Sequence, residues 1–335
     1  MNSKVFKSPP KSTNSSGKDR SVGYEFEFTG LDLEDSATVV ANLYGGNVER
    51  ISSYALSING TEFGDFSVEL DAQLLRDKKY EPVLKKFGID IESFEDTASI
   101  EHSLLEMASS IVPFEIVTPP IPIAEMYRLE ELTQMLRQKK AKGTTSSFFY
   151  AFGLHINPEI SSSETTEIIN HLRAYVLLDP WIRKDASIDI SRRLTPYINE
   201  YEKKYVKRIL HKDYNPDLKD FIKDYFDYDN SRNRPLDLLP LFMYLNEEFT
   251  TQFLDDTLTS ARPAWHYRLP NCSLEDDQWS LVAEWNRWVL VEKLAYDIAA
   301  LKELSNKYIE LEDQALLGFE TKWIQLIATW VKQNE

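Results

Sequence analysis

The chain has 335 residues, of which 42% are hydrophobic, which is enough to bury a large core. Its formal net charge of −16 argues against nucleic acid as a partner, because phosphate backbones are bound by clustered Lys and Arg. The sequence has no long apolar run of the kind that forms a membrane span or a secretory signal. We therefore expect a cytoplasmic protein without membrane contact. The single cysteine, Cys272, excludes an internal disulfide. It also excludes a thiolate-rich metal cluster, so a metal would have to be held by carboxylates and histidines.

The N-terminal third has the pattern of a β-sheet. Residues 1–20 are rich in Lys, Ser, Pro and Asn, and we expect a disordered tail there. Strict alternation of apolar and polar residues predicts strands at Val22–Phe28 and Asp65–Asp71, and Tyr54–Ile58 is a short apolar strand. Two helical patterns interrupt these strands, at Leu74–Phe87 and Ser99–Ser109.

The rest of the chain is mainly helical, with two further strands. The predicted elements are, in order, a helix at Ile123–Gln138, a strand at Ser146–Asn157, a helical insertion at about 161–259, a strand at Pro263–Leu269 and two C-terminal helices at about 275–333. Strands and helices do not alternate strictly, and no Gly-rich phosphate loop occurs. We therefore expect a single α+β domain over residues 21–335, with a mostly antiparallel sheet and helices packed on one side.

One face of the first strand carries two carboxylates. In Val22–Phe28 the period of two sends the aromatic residues to the core and places Glu25 and Glu27 together on the other face. Such a pair can bind one divalent cation or two closely spaced ones. The alternative is an ordinary solvated sheet face.

The other strands repeat this arrangement. Each has an apolar face and a face of metal-binding or anion-binding groups: Asp65, Ser67, Glu69 and Asp71 on one strand, Glu115 on the next, His155 and Asn157 on the third, and His266 and Arg268 on the last. His155 is a candidate metal ligand, although a hydrogen-bonded core histidine has the same pattern. Arg268 is a candidate phosphate contact, although it could also pair with a carboxylate. Glu292 lies near an apolar helix stripe and is interpreted as a structural partner for an arginine.

These motifs resemble the putative amidoligases, a branch of the glutamine synthetase and glutamate–cysteine ligase superfamily. Gly-Tyr-Glu25-Phe-Glu27-Phe is similar to the opening Glu-x-Glu strand of that family, and Phe-Glu115-Ile-Val-Thr-Pro-Pro to its second motif. Gly-Leu-His155-Ile-Asn157 is similar to its histidine strand. Two later segments also resemble the family, Asn233-Arg234-Pro-Leu-Asp237 and Arg262-Pro-Ala-Trp-His266-Tyr-Arg268.

The resemblance implies a glutamine synthetase-like sheet and an ATP-dependent carboxylate–amine ligase that uses Mg²⁺ or Mn²⁺ and an acyl-phosphate intermediate. By that analogy the metal ligands are Glu25, Glu27, Glu115 and His155; the catalytic residues are Arg268, Glu27 and His266; and the ATP contacts are Arg268, Arg262, Asn157 and Arg234. The substrates would be a carboxylate and an amine, small or peptidic, and a homo-oligomer is possible.

One position departs from the superfamily pattern. Glutamine synthetases have a metal-binding Glu where this chain has His266. A neutral imidazole can bind Mn²⁺ but lowers the negative charge of the site. A binding or scaffold protein that has lost the chemistry, and metal-assisted hydrolysis without nucleotide, therefore remain alternatives to the ligase.

Overall fold

The computed structural model describes residues 5–70, 113–144, 152–188, 192, 198–228, 233–254, 259–314 and 317–335. The predicted helices Leu74–Phe87 and Ser99–Ser109 lie outside these residues, as do residues 146–151 of the predicted strand Ser146–Asn157. The described residues form the central sheet and the helices that cover it.

A nine-stranded sheet forms the centre of the described structure. Its strands are β1 (Ser21–Phe28), β2 (Asn47–Ser52), β3 (Ala55–Thr61), β4 (Gly64–Leu70), β5 (Phe114–Val117), β6 (Ile121–Pro122), β7 (Leu154–Pro158), β8 (Leu236–Asp237) and β9 (His266–Tyr267). They are ordered β2-β3-β4-β5-β1-β7-β9-β8, with β6 also paired to β1. Every pairing between these strands is antiparallel. The expectation of an α+β fold with a mostly antiparallel sheet is thus confirmed, and its relation to glutamine synthetase stays a prediction.

The described residues include nine α-helices. They are α1 (Leu33–Tyr44), α2 (Leu129–Gln138), α3 (Thr165–Asp185), α4 (Lys203–Leu210), α5 (Leu218–Tyr228), α6 (Leu239–Thr250), α7 (Leu281–Tyr296), α8 (Ile298–Gln314) and α9 (Phe319–Asn334). Within the described ranges, no helix combines the length and the apolar character that crossing a membrane requires.

The alternation of apolar and polar residues in β1 produces the predicted buried face. Val22, Tyr24, Phe26 and Phe28 are completely buried, and β1 lies in the middle of the sheet between β5 and β7. Burying apolar side chains on one face fixes the register, because a shift by one residue would turn every side chain to the opposite face. The face that carries the polar residues is therefore fixed by the packing of the other face.

Helices cover the apolar face along its length. Near β4, the ring of Tyr44 in α1 stacks on Phe66 with centroids 5.4 Å apart. Near β9, Trp288 of α7 packs on both Trp265 and Tyr267, at 5.9 and 5.4 Å between centroids. Aromatic pairs at these distances add to the burial of apolar surface, so the helices hold the strands in place beneath the polar face.

Several elements differ from the expectations. β2 was not predicted, Ile123–Arg128 is a 3₁₀ turn that precedes α2, and there are three C-terminal helices in place of two. The strand expected at Pro263–Leu269 is only the two residues of β9. The region expected to be a helical insertion contains β8, which pairs with β9 and belongs to the sheet.

Residues 5–20, which we call the N-terminal strap, contrast with the expected disordered tail. Asn286 of α7 accepts a hydrogen bond from the Lys7 amide at 2.8 Å and donates one to the Val5 carbonyl at 3.0 Å. At the other end of the strap, Arg20 donates two hydrogen bonds to Glu292, at 2.7 and 2.9 Å, and both side chains are almost fully buried. These polar contacts hold the strap in place although its sequence has no apolar pattern. Glu292 is the arginine partner that was predicted.

Candidate metal centre

The strand registers bring the predicted polar residues to one face of the sheet. Glu25 lies opposite His155 on β7, and Glu27 lies opposite Glu115 on β5. His266 on β9 lies opposite Asp237 on β8. Residues far apart in the sequence therefore meet because adjacent antiparallel strands align side chains in rows across the sheet.

Three of these residues form a compact cluster, which we call the histidine centre: Glu25, His155 and His266. Each offers one ligand atom, and these atoms lie within 4.8 Å of one another. His155 Nδ1 is 2.6 Å from Glu25 Oε2, and His266 Nε2 is 3.8 Å from the same oxygen. The two imidazole rings are 5.2 Å apart and nearly perpendicular. Two nitrogens and one carboxylate are thus placed where a single cation could contact all of them.

The burial of the histidine centre distinguishes it from an ordinary solvated sheet face. Glu25, His155 and His266 are only 8%, 7% and 6% exposed. A solvated face would leave a carboxylate in water, whereas burying it without compensation has a large free-energy cost. Here the cost is offset by hydrogen bonds to Glu25 from Asn157 at 2.8 Å and from Arg262 at 3.0 Å. These residues form an organised polar site.

Asp237 holds His266 in a defined orientation. The carboxylate of Asp237 is completely buried, and its Oδ2 is 3.2 Å from His266 Nδ1. Its other oxygen accepts a hydrogen bond from the Leu239 amide at 3.0 Å, which fixes the carboxylate at the start of α6. With the proton of the ring on Nδ1, facing Asp237, Nε2 presents a lone pair toward Glu25. A carboxylate behind a histidine is the usual support of a metal-binding imidazole.

The electrostatics of the histidine centre favour the forms that bind metal. Burial acts to raise the pKa of the Glu25 carboxyl, but contacts with His155 and His266 outweigh it and hold that pKa well below its usual range. Burial lowers the pKa of His155, and the nearby Arg268 lowers it further, against the opposing effect of Glu27 and Glu25. An ionised carboxylate beside a neutral imidazole is the protonation state that ligates a cation.

A row of carboxylates adjoins the histidine centre. Glu69 on β4, Glu115 on β5 and Glu27 on β1 lie directly opposite one another across three neighbouring strands. Glu27 Oε1 is 3.3 Å from His155 Nε2, so His155 contacts Glu25 and Glu27 through its two ring nitrogens. Glu27 also accepts a hydrogen bond from the Gly153 amide at 2.6 Å. Like charges opposite one another destabilise a sheet, and a cation offsets this.

The predicted arginines divide into two groups. Arg262 contacts Glu25, and Arg268 is close enough to His155 and Asp237 to lower the pKa of both. Arg234 instead donates to the Glu200 carbonyl at 2.9 Å and packs on the ring of Tyr201, in the helical part of the chain. The contacts of Arg262 and Arg268 therefore connect them to the histidine centre, whereas these two contacts of Arg234 connect it to Glu200 and Tyr201.

Arg192 occupies the space that Gly153 leaves open. A side chain at Gly153 would come within 2.5 Å of the Arg192 guanidinium. The same guanidinium donates to the carbonyls of Leu269 and Arg268, at 2.8 and 2.7 Å. The side chain of Arg192 therefore fills the space beside Gly153 and holds the segment after β9.

The sequence did not identify Asp237 as a site residue. It placed Glu69 on an acidic strand face without a partner, and it offered Arg192 only as a weaker candidate for a phosphate contact. Asp237 lies on a two-residue strand inside a region whose pattern is helical. Glu69 alternates with apolar residues as Glu27 does, so the alternation identified its strand face, but only the register shows that it lies opposite Glu115. Arg192 has no strand context at all. The periodicity of the sequence cannot reveal cross-strand partners.

Most of the chain is similar to one protein family. The family model described as "Putative amidoligase enzyme" matches residues 18–290, which include every residue of the histidine centre and the carboxylate row. The chain belongs to this family. No curated protein and no solved structure matches the chain significantly. The resemblance seen in the short motifs thus extends over most of the length of the chain.

The residues present fit a divalent cation. The buried Nε2 of His266 has no hydrogen-bond partner among the described residues, although buried polar atoms are nearly always paired. The buried Oδ1 of Asn157, beside Glu25, also lacks one. The unpaired Nε2 of His266 lies 3.8 Å from a carboxylate oxygen of Glu25, where a cation would satisfy both. The donor set of this centre, carboxylate and imidazole, is one that divalent metals accept.

Proposed function

We propose that the protein is an ATP-dependent carboxylate–amine ligase that requires Mg²⁺ or Mn²⁺. The observation that carries the proposal is the buried histidine centre, adjacent to Glu27 and Arg268, in a chain of the amidoligase family. The substrates are a carboxylate and an amine, each a small molecule or part of a peptide. The position of the arginines beside a metal-binding cluster supports nucleotide use, because phosphoryl transfer needs positive charge near the γ-phosphate.

The proposed ligase reaction has two chemical steps. An oxygen of the substrate carboxylate attacks the γ-phosphorus of ATP, the bond to the β-phosphate oxygen breaks, and ADP leaves. The amine then attacks the acyl carbon, the bond to the phosphate oxygen breaks, and inorganic phosphate leaves as the nitrogen loses a proton. The products are an amide, ADP and phosphate.

The chain supplies binding, orientation and charge. Glu25, His155, Glu27 and Glu115 would hold the divalent cations, which would neutralise charge on the phosphate oxygens. Arg268 stabilises the charge that develops on the transferred phosphoryl group, and Arg262 and Asn157 position the nucleotide. Burial of the site limits the access of water, which would otherwise hydrolyse the acyl phosphate.

His266 has a supporting role in this proposal. Its Nδ1 contact with Asp237 fixes the ring, and its Nε2 is directed at Glu25. An imidazole in this position keeps a ligand for the cation while it removes one negative charge from the site. We therefore retain His266 among the residues that assemble the catalytic centre.

Thermal melting with ATP and a divalent cation tests the proposal. We expect Mg²⁺ or Mn²⁺ with ATP to raise the melting temperature, because a ligand that binds only the native state stabilises it by about 2.7 kcal/mol at about a hundredfold excess over Kd. Glu27→Gln should lose this metal-dependent shift and retain the fold. Glu49→Gln, which alters an exposed carboxylate on β2, is the matched control and should behave like the wild type.

ADP release completes the test. Wild-type protein should release ADP only when a suitable carboxylate and amine are both present. If neither metal nor nucleotide shifts the melting of the wild type, the ligase proposal is wrong. Metal and nucleotide binding without ADP release across a broad screen of carboxylates and amines would favour a binding protein.

A further inference from the structure

The histidine centre differs from the adjacent carboxylate row in its donor atoms. His155 and His266 offer two imidazole nitrogens, and Glu25 offers one carboxylate. Glu27, Glu69 and Glu115 in the neighbouring row offer oxygen only. Mg²⁺ prefers oxygen ligands and gives up its water reluctantly, whereas imidazole suits Zn²⁺, Co²⁺ and Fe²⁺ and is accepted by Mn²⁺. The two parts of the site therefore suit different cations.

The histidine centre is also organised in advance. His266 is held by the buried Asp237, and the imidazole of His155 lies between Glu25 and Glu27. Both rings are more than nine-tenths buried, so neither can turn freely. Fixed and desolvated nitrogens hold their lone pairs in one direction, which favours a cation that binds nitrogen strongly. Mg²⁺ would have to exchange several waters for two poor ligands.

We propose that the Glu25–His155–His266 centre selects a transition-metal ion of the Mn²⁺ to Zn²⁺ series and discriminates against Mg²⁺. The unpaired Nε2 of His266, directed at Glu25, is the observation that points to a ligand there. The inference deepens the metal requirement of the proposed function, but it does not depend on ligase activity. The oxygen donors of the carboxylate row suit Mg²⁺ better than the histidine centre does.

Metal competition on the full-length protein tests the inference without nucleotide. The protein is freed of metal with a chelator and titrated with Co²⁺, whose visible absorption reports nitrogen ligands. We expect Zn²⁺ to displace Co²⁺ at equal concentration, and Mn²⁺ to compete less well than Co²⁺, following the general order of affinities. About a hundredfold excess of Mg²⁺ over Co²⁺ should leave the absorption unchanged. Displacement by that amount of Mg²⁺ would overturn the inference.

His266→Glu changes the donor set without removing a ligand. It replaces one nitrogen with a carboxylate, so the ratio of Zn²⁺ to Mg²⁺ affinity should fall by about tenfold or more. His211→Gln is the matched control, because His211 is an exposed histidine outside the centre and its loss should not alter Co²⁺ binding. An unchanged ratio in His266→Glu, or a loss of Co²⁺ binding in His211→Gln, would contradict the assignment.

Two further measurements keep the test decisive. If His266→Glu does not fold, as judged by circular dichroism, His266→Gln replaces it and should lose the Co²⁺ absorption. Retention of that absorption in His266→Gln would also overturn the inference. Failure of the ligase proposal is seen separately, as the absence of ADP release from a protein that still binds Co²⁺ selectively.

Discussion

The pair formed by His266 and Asp237 explains how one histidine becomes a fixed ligand. Asp237 contacts His266 with one oxygen and the start of α6 with the other, so the ring is anchored to a helix as well as to a strand. Burial acts to raise the pKa of Asp237, but His266 and Arg268 outweigh it and lower that pKa. The ionised carboxylate can therefore accept a hydrogen bond from the N–H at Nδ1, which leaves Nε2 to face a cation.

Asp237→Asn should weaken metal binding without removing a metal ligand. Asn keeps the oxygen that accepts from the Leu239 amide, but it is neutral and can hold the ring in the wrong tautomer. Loss of such a supporting carboxylate reduces metal affinity by about 10–100-fold. Co²⁺ titration measures the effect, and circular dichroism controls for folding. An affinity equal to that of the wild type would show that Asp237 does not orient His266.

Arg268→Ala should reduce turnover more than nucleotide affinity. If the guanidinium mainly stabilises the transition state, kcat for ADP release should fall by about 10²–10³-fold, while the nucleotide Kd changes much less. Arg268→Lys keeps the charge and loses the planar fork, so an intermediate loss is expected. Equal losses in kcat and in affinity would mark Arg268 as a residue that binds the nucleotide equally in both states.

Individual site residues were predictable where one strand face is buried. The alternation in β1 placed Glu25 and Glu27 correctly, because the aromatic residues between them had to face the core. The same reasoning placed His155 opposite the apolar residues of β7. The support of His266 by Asp237 was not predictable, since it depends on a contact between two short strands distant in sequence.

At the scale of the strands, three adjacent elements each add one carboxylate to the same row. Glu69, Glu115 and Glu27 come from β4, β5 and β1. A single strand with one glutamate would be an ordinary polar face. The row forms only when the three strands pair in this register, so the acidic part of the site is a property of the sheet.

Glu115→Gln should therefore reduce the stabilisation that divalent cations give. Glu115 lies at the middle of the row, opposite both other carboxylates, so its neutralisation removes a central ligand. The change in melting temperature on adding Mg²⁺ or Mn²⁺ should become smaller than in the wild type. Melting curves at fixed ionic strength measure it, with Glu49→Gln as the control. A cation response that is undiminished would exclude Glu115 as a ligand.

Short strands limit what the sequence can reveal about elements. β8 and β9 have two residues each. The alternation in Pro263–Leu269 predicted the strand that contains β9 but not its length, and β8 lies in a region whose pattern is helical. β9 pairs with the edge of β7 and β8 pairs with β9, and Trp265 and Tyr267 are buried beneath α7. Tertiary packing, which local patterns do not contain, determines these elements.

For the whole molecule, the N-terminal strap connects the start of the described chain to the helices near its end. The connection centres on the buried ion pair of Arg20 and Glu292. Arg20 also donates to the carbonyls of Lys11 and Glu159, and Glu292 also accepts from Trp288. The composition of residues 1–20 suggested disorder, because this kind of polar connection leaves no apolar pattern in the sequence.

Arg20→Met should destabilise the whole protein. It leaves Glu292 charged and buried without its cation, and breaking a buried pair in this way costs about 3–5 kcal/mol. Urea unfolding should show this loss in the free energy of unfolding. Arg50→Met is the control, since Arg50 pairs with Glu34 at the surface, where little change is expected. A similar small effect in both variants would show that the Arg20–Glu292 pair does not stabilise the fold.

The central place of β1 has a consequence for biosynthesis. β1 leaves the ribosome before any of its partners, and the edge that will receive β7 stays open until much more of the chain has been made. An open strand edge is a template for pairing with other nascent chains. Glu25 and Glu27 place negative charge on the strand that has this open edge, and charged side chains discourage strand addition. We expect the carboxylates that we propose to hold cations in the finished protein also to disfavour aggregation of the incomplete sheet during translation.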